Sequence, residues 1–390
     1  MGWINMYYLK LYDDDLLSFD MENDLGLKIS NIKILSNNKN VFPICLKDVV
    51  NEEKIEEFIK SRVIPKNRTF VQTILEMAGL NINDRKAIID VSKGLSLIDS
   101  YWIVQDNTLK FKDYNLYDND FSEVLSLVAF TGYSSKISNL ISSPEFTTNG
   151  ILPKAWRRIK NEVYLYKGST ALYQAANTGF EPYCEYYSSQ VAAKMGIDHV
   201  EYNLSRWRKM QASTCKLFTS ADVSYVQIGD VVSSGGIRKT YEYIKKLGFE
   251  KKFTDMILFD AICINPDRHF GNFGLLRDNH TGNFIDFAPI FDNGESLLSK
   301  TMPDVFNDIN VFKEYIEKEE VNISYYGVSY DDLVKEFCDK DKIKQLRKLL
   351  NFKFKKHSSY NLPAKRLNCL NYMIQTRAKK FIDLINKKEN

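Results

Sequence analysis

The chain has 390 residues, more than one ordinary core needs, and about two or three folding units are expected. Its apolar fraction of 44% and charged fraction of 26% are those of a globular protein, which excludes wholesale disorder. The formal net charge of +3 leaves no chain-wide electrostatic footprint for nucleic acid or membrane, so neither is expected as a direct partner.

The six cysteines, at 45, 184, 215, 263, 338 and 369, form no C-x-x-C pair. That scatter suits reduced thiols in a cytoplasmic protein better than a disulfide framework or a zinc site. The most apolar run, 256–264, is far shorter than the roughly 18–20 residues of a membrane helix and is broken by Asp260. The first residues match neither a signal peptide nor a myristoylation signal, which would want a hydroxyl where Met6 stands.

In chain order, residues 54–61 and 69–77 read as helices within a first segment, 1–130, that mixes short strand-like and helical runs. The basic cluster Lys60, Arg62, Lys66 and Arg68, beside the acidic run from Glu52 to Glu57, reads as a solvated helix face and its exit loop. Residues 121–130 show helical spacing, with Asp120 or Ser122 available as cap. The Ser-, Thr- and Pro-rich stretch 132–150 is the best boundary. Then come a strand at 163–167 and a helix at 182–195 that carries Tyr187, Val191 and Met195 on one face and stops at Gly196. Strands follow at 215–219 and 224–228. Gly235-Gly236 reads as a helix entry, and the chain is mostly helical beyond it. Leu367, Leu370, Ile374, Ala378, Phe381 and Ile385 mark a long last helix. A strand-rich part followed by a helix-rich part makes the class α+β.

The chemistry concentrates in Asn265-Pro-Asp-Arg-His-Phe-Gly-Asn272 and its surroundings. An apolar helix, 253–264, precedes this loop and cannot comfortably extend through Pro266. A short strand follows at 273–277, then a dense cluster of turn formers at 278–283. A second strand, 284–291, stops at Asp292-Asn-Gly294. An antiparallel hairpin sets the residue before its first strand beside the residue after its second, which predicts Asn272 facing Asp292, with Asp267 one short loop away. Mg²⁺ takes hard oxygen ligands and keeps several waters, so one carboxylate and one amide oxygen suffice alongside nucleotide phosphates. A separate carboxylate must orient the acceptor hydroxyl and take its proton. Asp267 fits that base, and Asn272 and Asp292 fit the metal ligands. His269 either braces the loop or assists proton transfer.

The stretch N-x-D-R-H-x-x-N-F-G, the closing P-I-F-D-N-G-E-S-L and the 25-residue step between the aspartates resemble the HipA family of serine/threonine kinases. D-R-H-x-x-N is also similar to phosphatidylinositol kinases. The resemblance covers roughly residues 135–385. It implies a bilobal, protein-kinase-like fold with a strand-rich N-lobe (131–219), a helical C-lobe (220–390) and an additional N-terminal α/β segment. It further implies ATP and Mg²⁺ as cofactors, Lys167 as the strand lysine on the ATP phosphates with Lys154 as competitor, and Glu185 as its helix partner. Residues 142–150, ending at Gly150, take the place of the phosphate-covering loop, with a surface linker as the alternative. Leu217, Phe218 and Thr219 take the place of the adenine hinge.

The function implied is phosphoryl transfer to a Ser or Thr hydroxyl of a protein, with autophosphorylation, a toxin role and a small DNA-binding antitoxin partner as family features. A lipid or small-metabolite kinase with the same centre is the enzymatic alternative. A degenerate kinase serving as a binding module is the alternative of another class, against which the intact Asp267, Asn272 and Asp292 argue.

Overall fold

The computed structural model describes residues 6–23, 26–134 and 142–388, so residues 135–141 of the boundary stretch and the first five residues lie outside it. The architecture is α+β. The chain divides into two compact units. The first comprises residues 1–167, 216–226 and 276–285; the second comprises 168–215, 227–275 and 286–390.

In the first unit, β1 (Met6–Leu11), β2 (Asp14–Asn23), β3 (Leu27–Ile34) and β4 (Tyr101–Val104) form an antiparallel sheet of order β3-β2-β1-β4. Its apolar face, with Tyr7, Leu9, Leu17 and Phe19, packs on Ile55, Phe58, Ile59, Ile74 and Leu75. Those last residues come from the helices Glu52–Ser61 and Val71–Met77. Full burial stabilises by about 1.5–3 kcal/mol for each such side chain. Asn51 caps the first of these helices by accepting the Lys54 amide at 2.8 Å. Ser122, rather than Asp120, caps the helix Glu123–Thr131.

The expectation of a solvated basic face holds for the exposed Lys60 and Lys66 and is corrected for the two arginines. Arg62 and Arg68 are buried. Arg62 forks onto Asp99 at 2.8 and 2.5 Å, and Arg68 meets Glu145 at 2.5 Å. Their partners lie 37 and 77 residues away in sequence, so local charge patterning could not reveal them.

Next comes the hairpin of β5 (Lys154–Ile159) and β6 (Glu162–Lys167), which turns on Lys160 and Asn161, both left-handed. In the second unit the helix Glu181–Met195 buries Tyr187, Val191 and Met195 and ends at Gly196, whose φ of +82° closes the C-cap. β7 (Tyr202–Trp207) and β8 (Met210–Lys216) pair antiparallel. β9 (Val223–Gln227), β10 (Gly274–Asp278) and β11 (Phe284–Phe287) form a three-stranded sheet of order β11-β10-β9. The helices Glu250–Cys263 and Ala364–Lys388 anchor the second core. The predicted apolar stripe of the last helix, Leu367 to Ile385, is buried at every position. The cysteines are all free. Among the described residues, no helix is long and apolar enough to cross a membrane.

Candidate active site

The helix Glu250–Cys263 is buried along most of its length and hands over to Ile264 in the left-handed region, φ +52°. Such a residue must break the helix, and Pro266 keeps it broken. Asn265 then folds back on the helix end, its side chain donating to Asp260 Oδ1 at 3.1 Å and its Oδ1 accepting the Asp267 amide at 3.2 Å. The Asp267 carbonyl accepts the His269 amide at 2.8 Å and the Asn272 side-chain nitrogen at 2.9 Å. With its nitrogen engaged there, Asn272 keeps Oδ1 as the atom that can face a cation. His269 Nδ1 accepts the Gly271 amide at 3.0 Å, which is the loop-bracing geometry and leaves Nε2 to carry the proton of the neutral ring.

Arg268, 1% exposed, joins the parts. Its Nε and Nη2 hold the Asp260 carboxylate at 2.9 and 3.0 Å. Nη1 donates to the Asn272 carbonyl at 2.9 Å and the Phe291 carbonyl at 2.6 Å, and Nη2 reaches Asn293 Oδ1 at 2.6 Å. One planar fork thereby ties the buried helix, the end of the Asp267 loop and the segment bearing Asp292. Burial works against the charge, but the Asp260 carboxylate more than offsets it, and the guanidinium pKa is raised. From outside the loop, the Tyr326 hydroxyl donates to the Arg268 carbonyl at 2.7 Å.

The hairpin ladder was expected to set Asn272 against Asp292 by itself. Instead its last bond at the open end runs from the Ala288 amide to the Gly274 carbonyl, and the next amide on that side, of Ile290, donates to the Asp198 carbonyl at 3.0 Å. Ile290 bridges in parallel to His199, and Arg268 makes the remaining approach between the two segments. Asp292 itself is left-handed, φ +53°, and its amide donates to the Tyr202 hydroxyl at 3.2 Å. A non-glycine residue there costs roughly 1–3 kcal/mol and clusters at functional sites. The next amide, of Asn293, donates to Glu185 Oε2 at 2.7 Å. Glu185 is fully buried in the helix Glu181–Met195. The second unit therefore collects Asp267, His269, Asn272, Asp292 and Glu185 around one hydrogen-bonded frame.

The other expected site residues belong to the first unit. Lys154 and Lys167 stand directly opposite each other in the β5–β6 register, so the two competitors share one face of the hairpin. Both are buried. The Lys154 ammonium lies against Gly150, where an added Cβ would come within 2.2 Å of it, and φ at Gly150 is +96°. Residues 142–150 do not form a surface linker, since Ser143, Glu145 and Phe146 are fully buried. Glu145 accepts the Trp156 amide at 2.8 Å in addition to Arg68. The Leu217 amide donates to the Val163 carbonyl at 2.9 Å, Phe218 meets Tyr225 edge-on, and the Thr219 hydroxyl donates to the Leu97 carbonyl.

No family model matches the sequence, and no curated protein matches it. Solved structures do. HipA of Shewanella oneidensis MR-1, crystallised with HipB and operator DNA, is similar over 98% of this chain and 98% of its own, with a TM-score of 0.54 and 10% identity. The fold is that of a HipA-like kinase. The Helicobacter pylori proinflammatory kinase CtkA is similar over 62% of this chain and 93% of its own, with a TM-score of 0.49 and 19% identity.

Within this HipA-like fold, sequence reasoning missed Arg268, Asp260, Asn293 and Tyr326 as the frame of the site. One signal for Asp260 was present: an acid inside the apolar run 256–264 needs a buried cation, and Arg268 and Lys252, each eight residues away, were the nearest. Glu295 was also missed. Burial raises its carboxyl pKa, with the charges of Asp267 and Glu181 adding to the shift and Lys300, 2.7 Å away, opposing it.

Proposed function

We propose that the chain is an ATP- and magnesium-dependent kinase that transfers a γ-phosphate to a Ser or Thr hydroxyl of a protein. The observation that carries this reading is the Arg268 fork, which holds the Asn272 end of the Asp267 loop to the segment bearing Asp292. Asp267 orients the acceptor hydroxyl and takes its proton as the oxygen attacks the γ-phosphorus and the bond to the β–γ bridging oxygen breaks. Asn272 Oδ1 and the Asp292 carboxylate make a hard-oxygen donor pair that fits Mg²⁺, which would neutralise charge on the phosphates when bound. Lys167, or its cross-strand neighbour Lys154, supplies the phosphate-binding ammonium, and residues 217–219 the adenine contacts. His269 is a positioning residue in this scheme. The full-length similarity to a HipA crystallised with HipB and operator DNA makes a small DNA-binding antitoxin the partner to seek.

The test is incubation of the protein with γ-labelled ATP, Mg²⁺ and a cell lysate, followed by phosphoamino-acid analysis. Label on Ser or Thr of protein that disappears with Asp267→Ala is the expected result. Label confined to lipid or small molecules would transfer the assignment to that acceptor class, and no ATP turnover at all would leave a binding module.

A further inference from the structure

The net charge of +3 conceals a segregation. Residues 342–388 contain fourteen Lys or Arg and a single acid, Asp383, so the rest of the chain is net negative. A basic block of that kind inside a balanced chain is the footprint of a polyanionic partner. Several of its cations are accounted for internally. Lys342 pairs with Asp255, Lys380 with Asp331 and Lys388 with Asp339, while Arg366 and Arg377 are buried. Of the other nine, three (Lys353, Lys355 and Lys356) fall within four residues on an irregular strap, 351–361, between the helices Ile343–Arg347 and Ala364–Lys388.

The strap is firmly seated. Gln190 exchanges two hydrogen bonds with the Lys355 backbone at 3.1 and 2.9 Å, the Tyr187 hydroxyl donates to Asn361 at 2.8 Å, and Phe354 packs edge-on against Tyr187. Buried Phe352 and Phe354 alternate with exposed Lys353 and Lys355, and Lys356 is exposed as well. None of these three lysines forms an ion pair among the described residues, although each is anchored by an ordered backbone. Beside them is a layered group of rings. His357 stacks on Tyr360 at 5.4 Å with 12° between planes, and the exposed Arg206 guanidinium lies over Tyr360 at 5.2 Å.

We propose that this face binds single-stranded nucleic acid, with phosphates along Lys353, Lys355 and Lys356 and a base stacked on the Arg206–Tyr360–His357 group. Rigidly spaced cations suit a phosphodiester backbone, and planar guanidinium and ring faces accept any base. An acidic protein segment would use the lysines but gain nothing from the stack. The face contains none of the residues assigned to phosphoryl transfer, so the proposal stands or falls separately from the kinase reading.

The experiment is fluorescence anisotropy of the full chain with a labelled single-stranded oligonucleotide of mixed sequence, over a range of salt. Competitors are the corresponding duplex and polyglutamate of matched charge. Expected are a log–log salt slope of about −2 to −3, for three or four neutralised phosphates, and preference for the single strand over both competitors. The triple variant Lys353→Glu, Lys355→Glu, Lys356→Glu should weaken binding at least tenfold, and Tyr360→Ala roughly tenfold through lost stacking. Both variants should keep the parent's melting temperature within a few degrees and its ATP turnover. Absence of binding overturns the proposal. Polyglutamate competing as well as the oligonucleotide would identify an acidic-protein surface instead, and tighter duplex binding, or no effect of Tyr360→Ala, would remove the stacking.

Discussion

The buried Glu185 carboxylate accepts the main-chain amide of Asn293 at 2.7 Å, one residue past Asp292. The resemblance implied Glu185 as partner of a strand lysine; the structure shows it fixing the backbone that carries the candidate metal ligand. Glu185→Ala removes the acceptor and leaves that amide buried without it, at a cost of roughly 1–3 kcal/mol. Glu185→Gln keeps an acceptor oxygen. We expect the alanine variant to lose both stability and Mg-ATP affinity, and the glutamine variant to retain most of the stability, as read by denaturant unfolding and nucleotide titration.

Arg268→Lys tests the frame. A lysine keeps the charge but cannot reach Asp260, two carbonyls and Asn293 at once. Disrupting a buried pair of this kind costs on the order of 3–5 kcal/mol. The expected outcome is a large fall in unfolding free energy together with loss of activity. A fully stable, active Arg268→Lys protein would show that the four contacts are dispensable.

Asp267 and Asp292 should separate kinetically. Asp267→Ala should abolish transfer while leaving ATP binding nearly intact, because the base touches the acceptor. Asp292→Asn should weaken magnesium-dependent nucleotide binding, with partial rescue by Mn²⁺, which tolerates softer ligands. Calorimetric titration of Mg-ATP into each variant distinguishes them. Equal affinity losses would move Asp267 into the metal shell.

Glu295 offers a pH test. Its folded-state pKa is raised, by burial first, so its ionisation disfavours the fold. That contribution is absent below the ordinary glutamate pKa and grows as pH rises through the raised value. Glu295→Gln should therefore be more stable than the parent at neutral pH, with the difference shrinking as pH falls toward 4. Urea unfolding at several pH values measures it, and a difference that does not change with pH would assign the effect to packing.

Legibility followed the range of the interactions. The order Asp267, Asn272, Asp292 and the intervening hairpin could be read because turn formers and period-two runs are local signals. The long last helix was legible for the same reason, its stripe from Leu367 to Ile385 repeating over about five turns. Arg62, Arg68 and Arg268 were not, since what makes each a buried anchor is a partner brought in by the fold. The basic block at 342–388 was diluted by quoting the charge of the whole chain.

The last prediction separates Lys154 from Lys167. Their opposite positions in the β5–β6 register put both ammonium groups on one face, so strand alternation alone cannot choose between them. Lys154 lies against Gly150. Burial raises the Glu145 carboxyl pKa, opposed by Arg68 first and by Lys154 last, so the Lys154 charge gives that carboxylate a small part of its compensation within the first unit. The resemblance favours Lys167 for the nucleotide phosphates, with Lys154 as its competitor. Methionine keeps the bulk of the stem and removes the charge. Lys167→Met should fold normally, lose activity by orders of magnitude and lose the rise in melting temperature that Mg-ATP gives the parent. Lys154→Met should lower the melting temperature without nucleotide, because Glu145 is left with less compensation, while keeping a measurable nucleotide-dependent rise. The comparison needs both variants melted with and without Mg-ATP. If the nucleotide effect disappears only in Lys154→Met, the phosphate lysine is on β5; if it survives in both, neither lysine has that role.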